Sequence, residues 1–363
     1  MSQSANKLVR RMGGLSHRWL PFADAATVDL TLPRLWRLSL FQLSTGMAIV
    51  LLTGTLNRVM VVELGQGTSL VSLMLAIPLL LAPARALIGY RSDHHRSYLG
   101  WRRIPYLWSG TLMQFGGLAF MPFALILMIE PHSGPAIIGP IAAMGAFLLT
   151  GLGMHVSQTA GLALATDLAT EETRPRVVAL LYLMLLVGMI SSAVIFAALL
   201  DDFSYVRLIQ VIQSAAVITL ILNVAAMWKQ EVRHPELTDH KREKPTFGSA
   251  WGEFINLPKA RRLLWALGLG TMGFTMQDIL LEPYGAHVLG LSVSETTLLT
   301  ALFAGGMVLA LLMTSRTLRK GVDPIRLASV GVLIGIVAFV AVILSAPLQS
   351  TGLFQIGATL IGV

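Results

Sequence analysis

The chain has no cysteine and few charged residues, and half of its loops are almost free of basic side chains. The missing cysteine excludes disulfides and thiolate metal sites. Only 13% of the residues are charged, whereas 55% are hydrophobic and the mean hydropathy is +0.70. A soluble core cannot bury that much apolar surface, and the apolar residues occur in long blocks. The composition therefore predicts an all-α polytopic membrane protein.

Lys and Arg lie in every second connection between these blocks. Of the 27 basic residues, only Arg58, Arg85 and Arg207 lie elsewhere. Cytoplasmic loops retain Lys and Arg, so the basic N-terminal segment 1–35 is predicted to be cytoplasmic. The net charge of +8 is spread over short loops beside the membrane. Membrane lipids are therefore the expected partners of these charges, and nucleic acid is not.

The apolar blocks are long enough for nine membrane spans and the start of a tenth, since each span needs about 20 residues. The predicted spans are 36–63, 69–90, 104–129, 136–168, 177–200, 206–228, 263–284, 296–314 and 325–344, with a tenth beginning near Thr351. The chain stops inside this last apolar run. We therefore expect a chain truncated within its second half.

The basic stretch 229–262 predicts a cytoplasmic linker between a six-helix half, 36–228, and a partial C-terminal half, 263–363. A weak internal repeat agrees with this division. A shift of 225 residues pairs Arg37, Leu38, Met47, Leu64 and Gly65 with Arg262, Leu263, Met272, Leu289 and Gly290. Two parallel six-helix repeats joined by such a loop are typical of the major facilitator fold.

The loop between the second and third spans resembles the major facilitator loop signature. Its residues are Gly89, Asp93, Arg96, Gly100, Arg102 and Arg103. In that signature a glycine permits close helix approach and an aspartate pairs with basic residues at the cytoplasmic gate. The spacing from Asp93 to Gly100 is longer than usual. The alternative interpretation is an ordinary basic loop.

Five segments together resemble the PucC and LhaA family of major-facilitator-like proteins from phototrophic bacteria. They are 37–47, 54–64, 91–106, 158–167 and 276–285. The resemblance implies a multi-pass protein of the intracytoplasmic photosynthetic membrane that helps to assemble light-harvesting complexes. It would deliver bacteriochlorophyll or chaperone antenna polypeptides. The LhaA-like branch is favoured, with the inner antenna ring and the reaction-centre core as clients, and a peripheral antenna stays open.

Several polar residues inside the spans are candidates for a site, because an intramembrane charge is costly unless it is paired or hydrated. Arg58, Glu63, Asp278 and Glu282 form a predicted charge network, in which Arg58 pairs with Asp278 or Glu282. A structural ion pair and a direct ligand role are both open. For Arg85, snorkelling to the surface is the simpler interpretation.

Span four carries a second set of candidates. Gly153, Ser157, Gly161 and Ala165 recur every four residues and predict close helix packing. The candidates for binding pigment or another ligand are His155, Gln158 and Thr159, together with Gln277 on span seven. Given the resemblance, the His155 imidazole is suited to ligate the magnesium of a chlorophyll, although a hydrogen-bonding core histidine is the commoner case.

No motif supports catalysis, and no metal site is predicted in the protein alone. Gly268, Gly270 and Gly273 have dinucleotide-binding spacing, but they lie in an apolar span without a preceding strand. We therefore predict a non-enzymatic protein. Two alternatives to an assembly factor remain: a secondary transporter of a small solute, and a pigment-free scaffold for antenna helices.

Overall fold

The computed structural model describes residues 30–129, 135, 137–232, 246–319 and 321–363, without the side chains of 267, 274–279, 315, 318, 319, 324 and 325. Predictions for most of segment 1–35, for linker residues 233–245 and for the side chains of Gln277 and Asp278 fall outside the described residues. Within them the chain is helical and has no strand. The helices are α1 (Leu32–Glu63), α2 (Thr68–Asp93), α3 (Ile104–Ile129), α4 (Ile138–Leu168), α5 (Arg174–Leu199), α6 (Tyr205–Met227), α7 (Phe247–Ile255), α8 (Pro258–Leu289), α9 (Val293–Arg319), α10 (Pro324–Ser345) and α11 (Thr351–Gly362).

In the described part of the chain, eight helices are long and apolar enough to cross a membrane: α1 to α6, α9 and α10. This confirms a multi-pass membrane protein. A helix, α8, also forms at the predicted seventh span, but it does not belong to those eight. The short helix α7 was not predicted, because it lies inside the stretch interpreted as a linker. The division into domains at 228 and 262 stays a prediction.

The first two spans depart from regular α-helix. Within α1, Val50–Leu56 and Val59–Glu63 are π-helical, with hydrogen bonds between residues five apart. Such wide turns are rare, and they often occur at functional sites. In α2, Pro78 and Pro83 remove backbone donors, and the helix is interrupted between Leu80 and Ala84.

Close packing of α3 against α4 confirms the predicted small-residue stripe. A Cβ added to Gly153 would contact the backbone of Gln114 and lie 2.7 Å from the carbonyl oxygen of Gly110. Further along α4, a Cβ at Gly161 would lie 2.5 Å from the ring of Phe41 on α1. The stripe therefore faces two other helices, as expected for small residues in membrane bundles.

The later helices pack onto the first six through α9. This helix runs along α5 and contacts the π-helical part of α1. Its residues Ala301 and Ala304 are buried in the same apolar cluster as Met60 of α1 and Phe147 of α4. Thr55 and Arg58 of α1 therefore lie at the contact between the two groups of helices, where Thr55 Oγ1 lies 3.3 Å from Thr297 Oγ1 of α9.

Candidate functional site

A histidine on α4 binds the carbonyl that the break in α2 leaves free. In a regular helix the Pro78 oxygen would accept from the Ala82 N–H, but Ala82 instead donates to Leu79 at 2.9 Å. His155 Nε2 lies 2.9 Å from the freed Pro78 oxygen. A carbonyl can only accept, so Nε2 carries the proton. The proline break thus sets the tautomer of His155.

The second ring nitrogen of His155 has no partner. In the Nε2–H tautomer, Nδ1 carries a lone pair, and in the structure this atom is buried without a hydrogen bond. A metal-bound imidazole usually donates its other N–H to a backbone carbonyl or a carboxylate. His155 has that arrangement. Its chemistry therefore fits an axial ligand to a metal.

His155 lines a cavity of about 280 Å³ between α1, α2 and α4. The cavity is lined by Ile49, Leu52, Thr53, Leu75, Pro78, Leu79, Phe147, Gly151, Met154, His155 and Gln158. Most of these side chains are apolar, and the polar ones are Thr53, His155 and Gln158. Ligand pockets for drug-sized molecules span about 300–1,000 Å³. The cavity therefore holds a small ligand or part of a large one.

The other sequence candidates on α4 lie beside His155. Gln158 donates from Nε2 to Gln42 Oε1 at 3.3 Å, which joins α4 to α1. Thr159 accepts from Arg85 Nε at 3.2 Å. The Arg85 guanidinium is thus tied to a neighbouring helix, and both interpretations of Arg85, snorkelling and function, stay predictions. The fourth candidate, Gln277, has its side chain outside the described residues.

A buried polar cluster that joins α1, α3 and α6 was missed by sequence reasoning. Ser44 of α1 donates to Asn223 Oδ1 at 2.5 Å, and Asn223 Nδ2 lies 3.5 Å from Gln114 Oε1 on α3. All three residues are essentially inaccessible to solvent. Uncharged polar residues in apolar helices are common, so only their mutual contact marks them. Such hydrogen bonds join transmembrane helices and fix their register.

Arg58 pairs with a different carboxylate from the two predicted. Its Nη1 forms an ion pair with Glu63, and its Nη2 donates to the Leu291 carbonyl at 3.3 Å. In the described part of the chain Arg58 forms its ion pair with Glu63 of the predicted network and none with Glu282. Pairing with Asp278 stays a prediction because that side chain is outside the described residues. The physical reason for the Arg58–Glu63 pair is the π-helix, which brings residues five apart onto one face.

Glu282 has its own site on α8. It is 3% exposed, and its carboxylate accepts a hydrogen bond from the Thr300 hydroxyl of α9. Its second oxygen, Oε2, is buried without a partner. Gly54 in the π-helical turn leaves room for it, since a Cβ there would lie 2.5 Å from Glu282 Oε1. Glu282 therefore sits between the two groups of helices, close to Arg58 but not bonded to it.

The loop signature forms a charge cluster at the opposite end of the bundle. Arg103 is 5% exposed and forms an ion pair with Asp93 of α2. It also contacts Asp167 of α4 at 3.0 Å and donates to Ser92 Oγ at 2.7 Å. Arg102 lies 3.5 Å from the same Asp167 carboxylate. Arg103 thus links α2, α3 and α4.

The remaining signature residues contribute less. Arg96 is exposed. A Cβ on Gly89 would meet its nearest atom, in Thr159, at an ordinary 3.6 Å, so close packing does not require this glycine. Gly100 adopts φ 77°, which favours glycine. The loop is longer than in the major facilitator signature, but Gly100 lets it turn so that Arg103 still reaches Asp93.

Three similarities to known proteins agree with this architecture. A family model described as "PUCC protein" matches residues 55–363. Protein PucC from Rhodovulum sulfidophilum is 51% identical over all of this chain and 81% of the relative's length. An uncharacterized protein in the puhA-bchM intergenic region of Rhodobacter capsulatus is 54% identical over 98% of this chain and 75% of its own length.

Among solved structures, the chain resembles a bacterial homolog of the human lysosomal transporter Spinster. The TM-score is 0.60 at 17% sequence identity, over 91% of this chain and 71% of that structure. At this identity the match shows the fold alone. The fold is of the major facilitator type, as the sequence predicted.

Proposed function

Since the chain belongs to the PUCC family, we propose that it is an assembly factor for light-harvesting complexes in the photosynthetic membrane of a bacterium. It delivers bacteriochlorophyll to newly inserted antenna polypeptides or chaperones those polypeptides. The antenna polypeptides, the reaction-centre core and the pigment are its proposed partners. The N-terminus is proposed to be cytoplasmic, and no enzymatic step is part of the proposal.

The observation that carries the pigment proposal is His155 itself, which lines an apolar cavity and whose Nδ1 has no hydrogen-bond partner among the described residues. A bound chlorophyll would need a ligand from the protein for its magnesium. The neutral imidazole of His155, with its other nitrogen fixed by the Pro78 carbonyl, would supply that ligand. His155 holds the pigment in this proposal, while Gln158 lies beside it in the cavity wall.

The cavity size limits what His155 can do. At about 280 Å³ it is smaller than a site that encloses a drug-sized ligand, and a chlorophyll is larger still. The pigment would therefore lie partly outside the cavity, where the lipid or a partner helix covers it. Partial enclosure suits a carrier, because a ligand that is passed on must be released.

The test is the absorption spectrum of the protein purified from a pigment-making host. We expect bacteriochlorophyll to copurify with the unmodified chain, and the amount of bound pigment to fall by about tenfold or more in His155→Ala. The loss of a residue that only supports a metal ligand already lowers metal affinity by about 10–100-fold. His287→Ala is the matched control, because His287 is an exposed histidine near the end of α8. Equal pigment in both variants would exclude His155 as the ligand.

Secondary transport of a small solute is the second candidate function. It is favoured by the fold, which the chain shares with the Spinster homolog, and by buried Arg58 and Glu282 between the two groups of helices. Solute uptake into vesicles containing the protein would support it. Antenna polypeptide that copurifies without pigment would instead support the scaffold alternative.

A further inference from the structure

A second cavity lies away from His155, at the end of the bundle that carries the Arg103 cluster. It measures about 240 Å³ and opens between the start of α3 and the end of α6. It is lined by Trp101, Ile104, Trp108, Val224, Met227, Trp228, Lys229, Gln230 and Glu231. Three indoles in one small cavity are unusual in a chain with only 7 tryptophans.

The position of these indoles indicates the depth of the cavity in the membrane. Trp228 is 60% exposed and Trp108 is 43% exposed, and both lie near helix ends. Tryptophan is enriched where headgroups meet acyl chains, because its ring is apolar and its N–H is polar. The cavity therefore spans the boundary between lipid tails and headgroups.

The cavity is lined by one cation, Lys229, and one acid, Glu231, and the acid is already engaged by backbone donors. The Glu231 carboxylate accepts from the backbone N–H groups of Arg102 at 2.7 Å and Ile104 at 2.9 Å, at the first turn of α3. The positive end of that helix thus stabilises the negative charge of Glu231. In the part of the chain that the structure describes, Lys229 has no carboxylate partner. The cavity therefore offers an uncompensated cation.

Lys229 is held in place by its neighbours. It adopts φ 52°, a conformation that a lysine rarely takes. The next residue, Gln230, is buried and is fixed by Arg34: Arg34 Nε donates to Gln230 Oε1 at 3.2 Å, and Gln230 Nε2 donates to the Arg34 carbonyl at 3.1 Å. A strained backbone that its surroundings fix is a reason to look for function.

From these observations we propose that the groove between α3 and α6 binds one anionic phospholipid of the adjacent leaflet. The phosphate contacts Lys229, and one acyl chain lies against Ile104, Trp108 and Val224. No histidine lines the groove, so it offers a pigment magnesium no imidazole of the kind that His155 supplies in the other cavity. A flexible acyl chain needs no more than a narrow apolar groove. The site is independent of the proposed pigment site.

The test measures retention of phosphatidylglycerol against phosphatidylcholine by native mass spectrometry of the full chain released from detergent. Lys229→Asn removes the charge, and asparagine tolerates a positive φ, so the backbone is preserved. We expect one phosphatidylglycerol to be preferred, with the preference reduced about fivefold in Lys229→Asn. Lys229→Arg should retain it, and Lys259→Gln, which alters an exposed lysine on α8, is the matched control.

A second variant tests the acyl chain without touching the charge. Val224→Phe fills the groove and should also weaken retention of phosphatidylglycerol, with elution and helix content as checks on folding. Equal retention of the two lipids by the unmodified chain would overturn the proposal. An unchanged preference for phosphatidylglycerol in Lys229→Asn would also overturn it. So would the finding that an antenna helix, rather than lipid, covers Trp108 and Trp228.

Discussion

Arg58 and Glu63 form an ion pair with unequal exposure of its two side chains. The Arg58 side chain is 6% exposed, whereas the Glu63 side chain is 31% exposed. If Glu63 is neutralised, Arg58 keeps a buried charge without its partner. If Arg58 is neutralised, the Glu63 carboxylate still reaches solvent. The two single variants should therefore differ in stability.

We expect Glu63→Gln to lower the free energy of unfolding by about 3 kcal/mol, because an uncompensated buried charge is costly. Arg58→Gln should cost less, and the double variant should recover part of the loss. Denaturant titration in mixed micelles measures all three. Equal losses of unfolding free energy in the two single variants would show that Arg58 depends on another carboxylate. A loss in the double variant equal to the sum of the two single losses would show the same.

The sequence identified Arg58, Glu63 and Glu282 correctly as buried or half-buried polar groups, because charges stand out in apolar segments. It did not identify their partners. On an α-helix the neighbours of a residue are three and four positions away, so a contact between Arg58 and Glu63, five positions apart, does not follow from regular helix geometry. The π-helical turns that align them leave no pattern in the sequence.

At the scale of helices, the contact between α3 and α4 depends on Gly153. A Cβ there would meet backbone atoms of α3, which cannot move aside as a side chain can. Gly145 lies on the same helix and would have nothing within 4 Å of an added Cβ. The two glycines therefore form a matched pair for testing packing.

We expect Gly153→Ala to destabilise the protein by about 1–3 kcal/mol through overpacking. Gly145→Ala should be neutral or stabilising by up to about 1 kcal/mol, because alanine has the higher helix propensity. Thermal unfolding of the two purified variants in the same detergent gives the comparison. If both variants behave alike, the close approach of α3 and α4 at Gly153 is not as described.

The charge cluster at Arg103 connects three helices and gives a second prediction at this scale. Arg103→Gln leaves Asp93 and Asp167 without their shared cation, so α2, α3 and α4 should separate at this end. We expect a lower melting temperature and faster proteolysis in the loop 94–103. Arg261→Gln is the control, since Arg261 is exposed on α8, away from this loop, and its replacement should leave both measurements unchanged.

Helix positions were predictable because apolar blocks of about 20 residues leave few alternatives. The sequence placed α3 at Ile104–Ile129, as observed. The sequence did not predict α7, because its aromatic residues Phe247, Trp251 and Phe254 lie in a short stretch. The basic residues beside that stretch favoured a linker instead. In the structure these aromatic rings stack along one face, and Phe247 contacts Tyr90 of α2.

For the whole molecule, the distribution of basic residues predicts an orientation that labelling can test. The chain has no cysteine, so a single introduced cysteine reports its own side. A cysteine at Ser97, in the loop beside the Arg103 cluster, should react only with reagents that reach the cytoplasm. One at Asp201, between α5 and α6, should react from outside. The opposite labelling would invert the orientation.

The central claim is that the protein acts in antenna assembly, and near-infrared absorption of membranes tests it most directly. The comparison is a phototrophic strain that lacks this chain against the same strain with the chain restored. We expect the deletion to remove most of an antenna band while free bacteriochlorophyll is still made, and restoration to return the band. Antenna bands of equal height in the two strains, at equal pigment synthesis, would contradict the account.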